Sequence, residues 1–101
     1  MKYRLIIKDG AVSDTIEAFE YYETQKDGLG EQFLIDLENT YQKISKDPQH
    51  FSFVSADKAK KMRDAKLNGF PYLVIFEIEG KAVIIYAVHN THKKPRSFFS
   101  A

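Results

Sequence analysis

Two runs decide the fold: Tyr72-Leu73-Val74-Ile75-Phe76-Glu77-Ile78, and after Glu79-Gly80-Lys81 the run Ala82-Val83-Ile84-Ile85-Tyr86-Ala87-Val88-His89. Both are dense in β-branched and aromatic residues, and the short glycine-containing link between them reads as a hairpin turn. Each run is apolar on both faces, which places the pair centrally in a sheet. Working upstream, Asn68-Gly69 before Phe70-Pro71 is a further turn. Met62, Asp64 and Lys66 alternate with Arg63, Ala65 and Leu67, a plausible but weakly patterned strand, and Phe51, Phe53 and Val54 read as another short one. At the other end of the chain, Tyr3, Leu5 and Ile7 form an opening strand that Asp9-Gly10 breaks.

Between these lie two amphipathic helices. Val12, Ile16, Phe19 and Tyr22 recur at helical spacing and predict one apolar stripe, with Glu17, Glu20 and Glu23 on the wet side. Asp14 followed by Glu17 has the spacing of a capping box, although a start one turn earlier, near Ala11, fits as well. Gly28 suits the left-handed conformation that ends helices. Leu29, Phe33, Leu37, Tyr41 and Ile44 then carry a second stripe that stops before Asp47-Pro48. So short a link forces an antiparallel helical hairpin. The order β-α-α-β-β-β-β defines an α+β fold, with the hairpin packed on a curved, mostly antiparallel sheet.

Composition narrows the function classes. With 101 residues, 44% of them hydrophobic, the chain suits one small domain with a modest core. It has no cysteine, so disulfide frameworks and thiolate metal sites are excluded. His50, His89 and His92 lack a ligand spacing and no glycine-rich phosphate loop is present, so no metal and no cofactor is expected. No apolar run is long enough to cross a membrane, and only Leu5, Ile6 and Ile7 follow the basic N-terminus, so a cytoplasmic location is expected. The net charge of +1 hides an asymmetry. Residues 1–57 hold six Lys/Arg against eleven Asp/Glu, and residues 58–101 hold nine against three. That division fits one face for an acidic partner or nucleic acid, and equally a merely well-solvated surface.

The order and spacing of several pieces resemble the RelE/ParE family of bacterial toxins. The pieces are Arg63, Leu67, Phe70-Pro71-Tyr72 heading a hairpin, Ala87-Val88, and a polar stretch ending at Pro95 with aromatics after it. Upstream, Tyr21-Tyr22-Glu23, Gly28-Leu29-Gly30, Phe33, Leu37 and Pro48 agree. The resemblance covers nearly the whole chain and implies a single toxin domain over 1–101, encoded beside an antitoxin protein that neutralises it. It leaves two activities open, and beside them a degenerate relative that survives only as a non-toxic binding module. In the ParE branch the toxin binds and poisons DNA gyrase. In the RelE branch it is a ribosome-dependent endoribonuclease that cleaves mRNA without a metal.

The nuclease reading needs a base, an acid and cations around a scissile phosphate. The resemblance points to Arg63, His92 and Arg96 as that catalytic set. Lys58, Lys60, Lys61, Lys66, Lys93 and Lys94 would bind the RNA backbone. Arg63 has a competing structural use, a salt bridge across the sheet to Glu77 or Glu79, and His92 fits an inert surface position as readily. RelE-like nucleases often carry a tail tyrosine where this chain has Phe98-Phe99, and a phenyl ring transfers no proton. That departure favours the ParE-like reading. Tyr21, Phe98 and Phe99 are the expected antitoxin contacts, and the phenylalanine pair suits folding back on the core equally well.

Overall fold

The computed structural model describes residues 2–93. Strand β1 (Arg4–Ile7) leads into helix α1 (Asp9–Gln25), then helix α2 (Leu29–Lys46) and a short 3-10 turn (Pro48–His50). Strands β2 (Met62–Lys66), β3 (Tyr72–Glu79) and β4 (Ala82–Asn90) complete the order. The sheet runs β1-β4-β3-β2. β2, β3 and β4 are antiparallel neighbours, while β1 joins the outer side of β4 in parallel, Arg4 beside Ala82 and Ile7 beside Ile85. The hairpin of helices lies on one face, giving the expected α+β architecture with a mixed sheet.

Side-chain alternation sorts the strands. Ala65 and Leu67 of the β2 segment, Tyr72, Val74 and Phe76 of β3, and Val83, Ile85 and Val88 of β4 join the core under the helices. The expected stripe on α2 is the one observed: Phe33, Leu37, Tyr41 and Ile44 are all buried. On α1 the contact surface differs from the expected stripe. Its buried residues are Ala11 and Ala18, while Val12 and Ile16 are 44% and 54% exposed. Small side chains let α1 approach the sheet closely; Val12 and Ile16 are rotated away from it, while Tyr22 of the expected stripe packs against the core.

Four rings hold the layers together. Phe33 of α2 lies 5.7 Å from Tyr22 of α1, 5.5 Å from Phe70 and 5.0 Å from Tyr72, centroid to centroid. These separations suit attractive edge and offset contacts.

The helix junction is built from polar atoms. Gly28 has φ +87°, as expected for a left-handed link. Glu23, which the sequence places on a wet face, accepts hydrogen bonds from the N–H groups of Gly28 (3.1 Å) and Gly30 (2.9 Å). Gly30 sits so close to α1 that a Cβ there would lie 2.7 Å from the carbonyl oxygen of Phe19. Helix α1 begins at Asp9, a turn and more before the Asp14–Glu17 pair, so that pair is not its cap.

The segment after the 3-10 turn also departs from expectation. In place of a strand over 51–54 there is one antiparallel bridge, Phe53 to Arg63, flanked by hydrogen bonds from Val54 N–H to Met62 and from Asp64 N–H to Ser52. Asp57 ends this segment. Its carboxylate accepts from the N–H groups of Ala59, Lys61 and Met62. Those bonds, the one from Met62 foremost, hold its pKa below the usual aspartate value.

Candidate functional site

A cleft opens where the flank of α1 away from α2 faces the end of β4. β1 ends against Ile85, so beyond that point β4 has no strand on its outer side within the described residues. Helix α1 covers this edge instead. Asp14 accepts a hydrogen bond from the N–H of Val88 at 2.9 Å. One turn further along α1, Glu17 meets Lys93 Nζ at 2.9 Å. Pro71 is fixed by Thr91, whose N–H and hydroxyl both donate to its carbonyl at 2.8 and 3.1 Å.

Two adjoining hollows, of about 260 and 440 Å³, share Glu17, Ala18, Tyr72, Asn90 and Lys93 as walls. Tyr21 and Tyr22 close the larger one, with Tyr21 56% exposed. Burial, helped by the neighbouring Tyr22, raises the Tyr72 hydroxyl pKa, so this wall stays neutral. Tyrosine rings and the Asp14 and Glu17 carboxylates share the lining with Lys93, His89 and His92. The exposed Glu17 carboxylate beside the Tyr21 ring suits a cationic group with apolar atoms attached.

Among the described residues expected to serve a nuclease, Arg63 and His92 stand at different registers of the sheet. Arg63 shares the sheet face of Ala65 and Leu67, under the helices. Its Nη1 donates to the carbonyl of Phe51 at 2.6 Å and of Gln49 at 3.4 Å, and its guanidinium lies 4.0 Å from the Phe53 ring centroid. The alternative salt bridge to Glu77 or Glu79 is not formed; Glu77 accepts from the Tyr86 hydroxyl at 2.8 Å. Arg63 pairs with Phe76, whereas His92 follows the end of β4, where Asn90 pairs with Tyr72. Those two registers are four residues apart along β3, roughly 13 Å at a strand's rise per residue. His92 is exposed and lines the cleft, its N–H donating to the Asn90 side chain at 2.8 Å.

Lys58, Lys60, Lys61 and Lys66 are exposed, the first three on the loop shaped by Asp57 and the last on β2. Lys93 is exposed but paired with Glu17. Lys94, Arg96, Phe98 and Phe99 lie outside the described residues. Among the described residues, no group of three or more His, Cys, Asp or Glu could hold a metal, and no helix is long and apolar enough to cross a membrane.

The position of Arg63 yields a stability prediction. Arg63→Ala strips a charged donor from two loop carbonyls and a partner from the Phe53 ring. A loss of about 1–3 kcal/mol is expected, read as a lower urea midpoint. An unchanged midpoint would show that the guanidinium does not pin the 49–53 segment.

No protein-family model and no curated protein matches this sequence. Among solved structures the fold recurs in a chain from the chromosomal ParDE TA system of P. aeruginosa. That chain superposes with a TM-score of 0.75 at 13% identity, over 88% of this chain and 96% of its own length. At that identity the likeness defines a shared fold: the β-α-α-β-β-β chain path of a ParDE component.

Proposed function

We propose that the chain is a ParE-like toxin of a type II toxin–antitoxin system, which inhibits growth by binding its target, DNA gyrase, and is neutralised in the cytoplasm by a cognate antitoxin. The observation that carries this reading is the fold shared with a ParDE chain over nearly the full length of both. Fold alone does not assign function, and the support for one branch over the other comes from the site. Arg63 is engaged with loop carbonyls and lies a strand's length from His92. That favours binding over phosphodiester cleavage.

The test is induced expression in cells without an antitoxin, followed by two assays on purified protein. Growth arrest, loss of gyrase supercoiling and an intact ribosome-bound mRNA by primer extension are the expected results. Ribosome-dependent cuts would replace this reading with the RelE-like one. Undisturbed growth would leave a non-toxic binding module.

A further inference from the structure

We propose that the cleft between α1 and the outer end of β4 is a receptor for a basic side chain, arginine above all, carried by the partner segment that docks on this domain. The proposal deepens the toxin–antitoxin reading, and it rests on that reading only for the partner being an antitoxin.

The cleft's chemistry selects the ligand. Glu17 and Tyr21 stand four residues apart on α1, hence on one face a single turn apart. They present a carboxylate and an exposed ring to the same space. Tyr22 and Tyr72 add further rings, and Asp14 adds negative charge behind them. Carboxylate beside aromatic is what a guanidinium uses, its fork donating to oxygens while its plane lies over a ring.

The molecule already places a cation here. Lys93 Nζ rests on Glu17 at 2.9 Å, with both side chains largely exposed, at 63% and 74%. An exposed ion pair of this kind contributes little, so Lys93 is a placeholder that an arginine can displace. The ammonium is a point charge. A guanidinium gains a second hydrogen bond and ring contact.

The size of the cleft argues for a peptide over a free amine. The larger hollow, about 440 Å³, exceeds one side chain, and it extends from Tyr21 and Tyr22 of α1 past Pro71 to Asn90 and His92 at the end of β4. The occupant is therefore a short basic stretch with apolar residues beside the arginine, the latter against Ala18 and Pro71.

The test titrates the purified full chain with an acetylated, amidated Ala-Leu-Arg-Leu-Ala peptide, followed by amide chemical shifts. The matched peptide has glutamine for arginine. Expected are shifts centred on residues 17–22 and 88–93 and binding about tenfold tighter for the arginine peptide. Glu17→Gln should erase that preference, and Lys93→Met should tighten arginine binding several-fold by removing the internal competitor. Thermal midpoints of both variants should stay near the parent's, since the side chains are exposed. Equal affinity for the two peptides, shifts elsewhere on the surface, or Lys93→Met leaving affinity unchanged or weaker would each overturn the proposal. Growth is not read in this assay, so it stands or falls separately from toxicity.

Discussion

Replacing Phe33 with alanine is expected to destabilise the domain by about 3–5 kcal/mol, the usual cost of emptying a buried aromatic site. Phe33 is fully buried and touches rings from each layer, Tyr22 on α1 and Phe70 and Tyr72 before and in β3. The hole would open between α1, α2 and the sheet at once, where no single neighbour can relax to fill it. Native stabilities are about 5–15 kcal/mol, with small domains toward the lower end. The variant should therefore be largely unfolded at moderate urea, with Phe33→Leu falling between it and the parent. A loss below about 1 kcal/mol would mean that the four rings do not form the common contact of the layers.

Alkaline solution should weaken the fold through its tyrosines. Burial, with Glu38 nearby, raises the Tyr41 hydroxyl to about 12. Tyr72 is raised by burial and by Tyr22, and Tyr86 by burial and its bond to Glu77. An unfolded tyrosine ionises near 10. Below that pH both states are neutral and the full stability is present. Between about 10 and 12 the unfolded chain gives up a proton that folded Tyr41 keeps, so stability falls by up to about 1.4 kcal/mol per pH unit. Tyr41 alone should account for a loss on the order of 2–3 kcal/mol across that window. Urea midpoints at pH 9 and 11.5 measure it, and Tyr41→Phe should show a visibly shallower decline. Equal declines in parent and variant would mean that Tyr41 ionises as freely folded as unfolded.

The sequence reveals the architecture where the pattern is strong and misleads where packing uses small or distant groups. The hairpin of β3 and β4 and the stripe of α2 are legible because large apolar residues supply both the pattern and the contact. On α1 the contact is made by Ala11 and Ala18, which carry little hydropathic weight, so Val12 and Ile16 dominate the reading while facing outward. Asp14 looks like a helix cap because caps are local. Its bond to Val88 spans most of the chain and leaves no trace in spacing. Arg63 lies on a strand whose two faces have similar character, and a strand's period of two turns any ambiguity of face into a reversal of role.

The residues that carry the family resemblance explain why it reaches the fold before the function. Phe33, Leu37, Leu67 and Tyr72 are buried, as is Pro48, and Tyr22 and Phe70 pack against the core. A pattern made of core residues reports how the layers fit together. Tyr21 is an expected contact by resemblance, but its neighbours Asp14 and Glu17 read from spacing alone as cap and wet face.

The parallel edge strand also sets an order of assembly. β1 leaves a ribosome before the other described elements, yet its neighbour in the sheet is β4, the last strand of the described chain. The helical hairpin and the β2–β3–β4 meander can each nucleate from nearby sequence. β1 must wait, closing a loop almost as long as the described chain, and such distant pairings slow folding. Until β4 is made, the apolar face of β1 is exposed to whatever else will bind it.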